Sequence, residues 1–307
     1  MCGIGGFSFK QDMFSEGQRA ILAATLGRLN DRRGGTSWGI YIPDEKNYRI
    51  IKGLGTIAEN VHRMVGLDEV MLHTRLKTTG EGSVQNAHPF TIGNIIGSHN
   101  GVLNNHYELN NRYSRSFEVD SMHIFAHLNE DKPLDEIKGY GTIQWVEKNY
   151  PNMMYLCNVR NGSLSIVTVG KDPNKPEGVV WSSDEDHLLE ALIAAGIEDF
   201  EYVEAKEGEV YCVYEGDIFT VDKQLSFGSG YGDYGHYSRW EDFQTEKEET
   251  QQLHLIEDNK EELEIEVEFE NPNDNERKWL AKRGESLAWE EYLEMRRLQD
   301  EDNGEGT

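Results

Sequence analysis

The sequence predicts an α+β fold in which antiparallel strand pairs are separated by a few helices. Short turns join neighbouring apolar segments at residues 43–47, 161–162 and 215–217. The second of these turns is Asn161-Gly162, and Asn-Gly between apolar strands is the strongest short-range indicator of a β-hairpin. The chain has 307 residues, enough for a substantial core in one large domain or two.

Apolar periodicity assigns the individual elements. Strands are expected at 2–9, 38–42, 48–51, 69–74, 92–99, 153–160, 163–169, 179–182, 209–214 and 218–221. Helices are expected at 21–29, 122–128, 143–148 and 187–195. We expect Asp120 to cap the second helix and Gly196 to end the fourth, while Pro151 follows the third.

The composition excludes several classes of function. The formal charge is −26, from 56 acidic and 30 basic side chains, which argues against binding to a phosphate backbone. The three cysteines, Cys2, Cys157 and Cys212, suit a reducing compartment better than a disulfide framework. Neither a metal nor a cofactor is expected, because no cysteine or histidine group has metal-site spacing. No apolar run approaches 18 residues and no signal peptide is recognisable, so we expect a cytoplasmic protein.

The sequence predicts three regions along the chain. Residues 2–225 hold the periodic strands and helices, residues 226–240 form a Gly/Tyr-rich linker, and residues 241–307 form an acidic extension. The extension carries 23 acidic and 8 basic residues, which gives it a net charge of −15. Alternation at 262–270 favours a strand, and an amphipathic helix is plausible at 275–300. Residues 302–307 are expected to be disordered.

The first candidate for chemistry is Cys2, which follows the initiator methionine. Removal of Met1 would leave a thiol nucleophile and a free α-amine on one residue, and such an amine titrates near the pH that general-base catalysis needs. Glycines at positions 3, 5 and 6 would leave room for a substrate against the backbone. The alternative is an ordinary cysteine at a frayed terminus.

Three further segments carry groups that could bind a substrate or stabilise a reaction intermediate beside the nucleophile. Arg75 ends a predicted strand and suits bidentate binding of a carboxylate, although a structural ion pair is the alternative. The amide of Asn100 and the N–H of Gly101 are two neutral donors of the kind that stabilise an oxyanion, although Asn-Gly also suits a turn. Asp120 could hold an ammonium group instead of capping a helix.

In this order and spacing, the segments resemble class II glutamine amidotransferases, which are N-terminal-nucleophile hydrolases. The resemblance covers roughly residues 2–220 and is densest at 2–6, 73–90 and 98–105. It is closer to glucosamine-6-phosphate synthase and amidophosphoribosyltransferase than to asparagine synthetases, which typically have a glutamate where Val102 stands. It implies a four-layer αββα sandwich of two antiparallel sheets, followed here by the acidic extension.

The resemblance also implies roles for individual residues. Cys2 would form a γ-glutamyl thioester with glutamine, with its own α-amine as the base, and Asn100 and Gly101 would stabilise the oxyanion. Substrate binding would fall to a second set of residues: Arg75 and Thr78 for the α-carboxylate, Asp120 for the α-ammonium group and His88 as a supporting residue. No metal takes part in this chemistry.

Two segments depart from the family pattern. Arg33-Gly34-Gly35-Thr36-Ser37-Trp38-Gly39 lacks the family aspartate and carries Trp38 at a usually small position. Leu76 and Thr79 stand where the sugar-phosphate enzyme has a tryptophan and a histidine.

The sequence does not identify the acceptor of the ammonia. We expect a separate synthase protein as acceptor, with the acidic extension as a docking element or as a solvated tail; a free-standing glutaminase is the alternative. A different N-terminal-nucleophile amidase, cleaving a γ-glutamyl peptide or an acylated amine, would share the Cys2 chemistry. A non-catalytic interaction module is a third class, in which the acidic extension would be the functional part.

Overall fold

The structure is a computed structural model of the chain. It describes residues 2–11, 13–44, 47–76, 82–172 and 175–228, together with the backbone of 262–267. Within these residues, no helix is long and apolar enough to cross a membrane. The predicted helix at 275–300 and the terminal residues 302–307 lie outside the described part.

The described chain contains fourteen strands and four α-helices. The strands are β1 (Gly3–Phe9), β2 (Ser37–Pro43), β3 (Tyr48–Leu54), β4 (Glu69–Arg75), β5 (Phe90–Ile92), β6 (Ile95–Leu103), β7 (Gly139–Glu147), β8 (Tyr150–Arg160), β9 (Ser165–Val169), β10 (Gly178–Ser182), β11 (Phe200–Val203), β12 (Glu209–Tyr214), β13 (Asp217–Gln224) and β14 (Glu262–Val267). The helices are α1 (Glu16–Asp31), α2 (His106–Arg112), α3 (Met122–Asn129) and α4 (Glu185–Ala194), with 3₁₀ helices at Ile57–Met64 and Leu134–Glu136.

The strands form two antiparallel sheets. Sheet one has the order β11-β9-β10-β1-β4-β2-β3-β14, and sheet two has the order β13-β12-β8-β7-β6-β5. β1 is therefore a central strand, paired with β10 on one side and with β4 on the other. The strand at Glu262–Val267 extends sheet one at the outer edge of β3.

Three apolar clusters show how the sheets and helices are layered. One cluster packs α1 and α4 on the outer face of sheet one. A second fills the space between the two sheets. The third packs α2 and α3 on the outer face of sheet two. The arrangement is helix, sheet, sheet, helix, so the expected αββα sandwich is confirmed.

Helix α1 fixes the position of β1. It begins with a capping box in which Ser15 accepts from the Gln18 N–H, and it presents Leu22 and Leu26 to the sheet. Near its end, the fully buried Asn30 lies against β1, so a Cβ on Gly3 would lie 2.8 Å from Asn30 Oδ1. The glycines of β1 thus make room for side chains of this protein, not for a substrate as expected.

The predicted helix at 143–148 is wrong. Residues 143–147 belong to β7, which pairs with β6 on one side and with β8 on the other. Ile143 packs towards the helices of sheet two and Val146 packs between the sheets, so both faces of the strand are buried. A strand with two buried faces shows no polar alternation, and its short apolar run is easily read as a helix.

The predicted strand at 92–99 is two strands that meet at a turn. Gly93 has a φ of +58° and separates β5 from β6, which continues as far as Leu103. Asn100 and Gly101 therefore lie inside a strand and do not form a turn. Near the end of the described range 175–228, Phe227 is buried and its ring contacts the ring of His99 edge to face.

Candidate active site

Cys2 lies immediately before β1, at the end of a central strand of sheet one. The register pairs Gly3 with Thr74, which brings Cys2 beside the end of β4, where Arg75 follows. The Cys2 thiol is partly buried and donates to the carbonyl oxygen of Leu76 at 3.7 Å. This bond fixes the sulfur beside the residue that follows Arg75.

Charged groups around Cys2 act on its thiol in opposite directions. Burial dominates and raises the pKa of the thiol, while the hydrogen bond to Leu76 and the charge of Arg75 oppose this rise. The charge of Asp120 raises the pKa. Arg75 and Asp120 thus both act electrostatically on the sulfur, and they carry opposite charges.

Arg75 is almost fully buried, with 3% of its surface exposed. Burial lowers the pKa of its guanidinium group, while the neighbouring Cys2 and Asp120 raise it. A buried cation under the electrostatic influence of a thiol and a carboxylate is a candidate for binding an anionic substrate group.

Beyond β5, the edge of β6 that does not pair with β7 faces the end of β4. The carbonyl of His99 lies 3.2 Å from Nε2 of His73, and the N–H of Leu103 donates to Oδ2 of Asp120 at 2.8 Å. The backbone N–H and C=O groups of successive residues in an antiparallel strand point to alternate edges. Residues 99, 101 and 103 therefore present their N–H and C=O groups at the same edge. The Gly101 N–H is therefore directed away from β7, between these two contacts.

Gly101 cannot carry a side chain in this arrangement. A Cβ there would overlap the carbonyl oxygen of Tyr140 and lie 2.5 Å from Nε2 of His99. The opposite residue in β7 is Gly141, with a φ of +145°, which brings the two strands close together. The backbone geometry at the predicted oxyanion donor is thus enforced by packing.

Asp120 does not cap α3, and that expectation is wrong. The helix begins at Met122 with Ser121 as its N-cap residue, and no side-chain capping bond is formed. The carboxylate of Asp120 is turned to β6 instead, because the buried N–H of Leu103 needs an acceptor there. Asp120 is 4% exposed and faces the edge that also presents Gly101.

His88 contacts β4 through a second histidine. Its Nδ1 lies 2.7 Å from Nε2 of His73, and both rings are buried. Burial lowers the pKa of both imidazoles, that of His73 to about 3, so both are neutral at pH 7. His88 therefore reaches the strand of Arg75 as an uncharged ring.

Several residues around this site carried no sequence assignment. His73 stands two positions before Arg75, and His99 stands directly before Asn100, so both lie within the motifs of the sequence analysis. Lys52 is a charged residue in the apolar segment Ile50-Ile51-Lys52, and this irregularity is the available indication of a special role. Thr78, the remaining predicted substrate-binding residue, lies outside the described residues.

Two residues of the segment 33–39, Arg33 and the divergent Trp38, have defined places in the fold. Arg33 donates to the Asp184 carboxylate at 2.7 Å and to the Ser183 carbonyl at 3.0 Å, so it ties α1 to the residues before α4. Trp38 is fully buried in the cluster on the helix side of sheet one, with Gly53 opposite it. Trp38 therefore packs away from the face of the sheet on which the two sheets meet.

Sequence comparison places this chain among known proteins. No family model matches it. It is 28% identical over 267 residues to the glutamine–fructose-6-phosphate aminotransferase (isomerizing) of Vibrio vulnificus, covering 79% of this chain and 41% of the relative. It is 31% identical over 247 residues to the enzyme of that name from Aliivibrio fischeri, covering 72% of this chain and 37% of the relative. The matched part thus spans about two fifths of these relatives.

Two solved structures share the fold. One is described as the allosteric regulatory enzyme of purine biosynthesis, with a TM-score of 0.53, 19% identity and coverage of 72% of this chain and 48% of that one. The other is the glutamine phosphoribosylpyrophosphate amidotransferase of B. subtilis, with a TM-score of 0.52, 19% identity and coverage of 72% and 49%. At this identity the likeness is one of fold. Together with the sequence matches, it shows that the chain carries a class II, N-terminal-nucleophile glutamine amidotransferase domain.

Proposed function

We propose that this protein hydrolyses the side-chain amide of L-glutamine through a γ-glutamyl thioester on Cys2, releasing glutamate and ammonia. The observation that carries the proposal is the contact between β4 and β6, strands of different sheets, where Nε2 of His73 lies 3.2 Å from the carbonyl oxygen of His99. Cys2 and Arg75 come from the ends of β1 and β4, and the Gly101 backbone and Asp120 come from the edge of β6 and the loop before α3. In the proposed site these residues supply a nucleophile, a cation, an anion and an N–H donor.

The two charges match the two ends of the substrate's α-carbon. Arg75 suits the α-carboxylate and Asp120 suits the α-ammonium group, with Thr78 helping Arg75 and His88 supporting the pocket. A zwitterionic amino acid needs one cation and one anion in a site that excludes water. Both side chains are at least 96% buried, so each charge acts with little screening by solvent.

The reaction has two stages. After removal of Met1, the free α-amine of Cys2 takes the thiol proton, and the sulfur attacks the amide carbon to form an S–C bond. The amide of Asn100 and the N–H of Gly101 stabilise the oxyanion. The C–N bond then breaks and the amine returns the proton to the leaving ammonia. Water, deprotonated by the same amine, cleaves the thioester, giving glutamate and the free thiol.

We propose that the ammonia passes to an acceptor on a separate synthase protein, to which the acidic residues 241–307 dock. The net charge of −15 in this extension suits a basic surface on such a partner. Ammonia channelled to an acceptor is protected from loss to solvent, which gives the hydrolysis a use.

Three measurements test the proposal. Mass spectrometry of the purified protein is expected to show Met1 absent, because a retained methionine would block the amine. A diazo-ketone analogue of glutamine is expected to label Cys2 and to abolish ammonia release from glutamine. Cys2→Ala is expected to lose both labelling and activity, while Cys157→Ala, at a buried position outside the site, keeps them. Labelling that persists in Cys2→Ala would refute the assignment.

The acceptor needs its own experiment. A pull-down with the full chain is expected to capture a synthase, and addition of that synthase is expected to raise glutamine hydrolysis. Equal binding by a chain that lacks residues 241–307 would contradict the docking role of the extension.

A further inference from the structure

We infer that Lys52 is a positioning residue, whose ammonium group fixes the segment that joins the two charged ends of the proposed glutamine site. This segment, residues 84–90, is called the cover segment below. The inference rests on the proposed function for its effect on glutamine binding, and on geometry alone for the contact itself.

Lys52 lies in β3 between apolar neighbours and is 6% exposed. Its Nζ donates to the carbonyl oxygen of Ala87 at 2.8 Å and lies 5.6 Å from the centre of the Phe90 ring. Burial lowers the pKa of this ammonium group to about 8, so holding it here carries a free-energy cost. Both contacts are made to the cover segment, which is what the buried lysine stabilises.

The backbone of the cover segment also lies directly on sheet one. Gly39 is paired with Lys52 across β2 and β3, and a Cβ on Gly39 would overlap the carbonyl oxygen of His88. The glycine permits this close approach, and the lysine beside it supplies a hydrogen bond. Together they hold Ala87 and His88 at a fixed place on the sheet.

From that place the cover segment contacts both halves of the site. His88 Nδ1 lies 2.7 Å from Nε2 of His73, two residues before Arg75 on β4. Asn86 Nδ2 donates to Oε2 of Glu118 at 2.9 Å, two residues before Asp120. The segment thus bridges the strand that ends in Arg75 and the loop that carries Asp120.

The expected consequence of losing the Lys52 contact is specific. The cover segment would be held less firmly, so its contacts with His73 and Glu118, each two residues before Arg75 or Asp120, would loosen. The thiol of Cys2 and the edge of β6 would keep their own contacts. Glutamine binding should therefore weaken more than the rate of the chemical steps.

The experiment compares Lys52→Met, Lys52→Arg and the control Lys10→Met. Lys10 pairs with Asp217 on the surface, beyond the opposite end of β1 from Cys2, so it matches the loss of charge without touching the site. We expect Lys52→Met to raise KM for glutamine about tenfold with kcat within threefold, in line with one lost charged hydrogen bond. Lys52→Arg should recover most of the affinity, and Lys10→Met should match the wild type.

Hydrogen exchange gives a readout that does not require activity. Amides of residues 84–88 and 90 should exchange at least tenfold faster in Lys52→Met, while those of α1 stay at the wild-type rate and report that the fold is intact. Wild-type KM and unchanged exchange at 84–90 would overturn the inference, as would faster exchange spread equally over α1. A wild type that hydrolyses no glutamine would refute the proposed function, and the exchange result would still decide the role of Lys52.

Discussion

The backbone N–H of Leu103 donates to Oδ2 of Asp120 at 2.8 Å, and this bond joins the end of β6 to the loop before α3. It fixes one carboxylate oxygen beside the strand edge that presents Gly101. The other oxygen, Oδ1, lies 3.4 Å from the hydroxyl of Ser121. Asp120 therefore has a structural role and, in the proposed function, a substrate-binding role, and the two can be separated by mutation.

Asp120→Asn should separate them. The asparagine keeps an oxygen that can accept from Leu103 but loses the negative charge. We expect the unfolding midpoint to change little and KM for glutamine to rise about 10- to 100-fold, since a hydrogen bond to a charged group contributes about 1.5–3 kcal/mol. Steady-state kinetics and a urea titration measure the two quantities.

Asp120→Ala is the companion variant. It removes the acceptor as well, so the buried Leu103 N–H is left without that partner and the free energy of unfolding should fall by about 1–3 kcal/mol. Equal stability of the alanine and asparagine variants would show that the bond to Leu103 contributes nothing.

Gly101→Ala should damage both stability and catalysis. The added methyl group would overlap the carbonyl oxygen of Tyr140, so the β6 and β7 backbones must separate. We expect a loss of about 1–3 kcal/mol in the free energy of unfolding from overpacking. Displacement of the N–H donor should lower kcat about 100- to 1,000-fold, the effect of removing one oxyanion donor.

Gly27→Ala is the matched control for that substitution. Its Cβ would lie 3.3 Å or more from side-chain atoms of the 3₁₀ helix, on the far side of sheet one. Wild-type kcat is expected. A comparable loss of kcat in both variants would mean that the effect of Gly101→Ala is not local to the site.

The fold was predictable wherever one strand face or one helix face is polar. The hairpin that turns at residues 215–217 and the helix that precedes Gly196 follow from local rules, and the structure has both. The hairpin expected at Asn161-Gly162 is wrong, because β8 lies in sheet two and β9 lies in sheet one, so the chain crosses between the sheets there. β7 was not predictable in this way, because Ile143 and Val146 are buried on opposite faces of the strand. Its identity as a strand is decided by the two neighbours with which it pairs.

The candidate site was likewise predictable from the sequence only in part. Cys2, Arg75 and Asp120 were predicted from their chemical types and order, and the structure brings them into one electrostatic neighbourhood. The role of the β1 glycines could not be predicted from the sequence, because these glycines make room for Asn30 and Trp181, which come from distant parts of the chain. The contact of Lys52 with Ala87 is likewise a product of tertiary packing.

His73 should make the protein less stable in acid. Its folded-state pKa is about 3, well below the ordinary value of about 6.5, so between these values the unfolded chain binds the proton. The stability from keeping the ring neutral is fully present above pH 6.5 and is lost as the pH falls towards 3. Each such group adds a slope of about 1.4 kcal/mol per pH unit.

The variant His73→Gln measures this contribution. Glutamine is neutral throughout, so the free energy of unfolding should depend on pH less steeply, by about one proton, between pH 6 and pH 4. Urea titrations at several pH values give both slopes. An unchanged slope in the variant would show that His73 takes up its proton without unfolding.

The three thiols should differ in their reaction with iodoacetamide. Cys157 and Cys212 are fully buried, and burial raises the pKa of each to about 12, so at pH 8 only about 10⁻⁴ of either is thiolate. Cys2 is partly exposed, so a reagent can reach it in the folded protein. Peptide mass spectrometry of native protein should show Cys2 alkylated at least 100-fold faster than the other two, and all three alkylated in urea. Cys2→Ser should leave no fast-reacting thiol, and rapid alkylation of Cys157 in that variant would contradict its burial in sheet two.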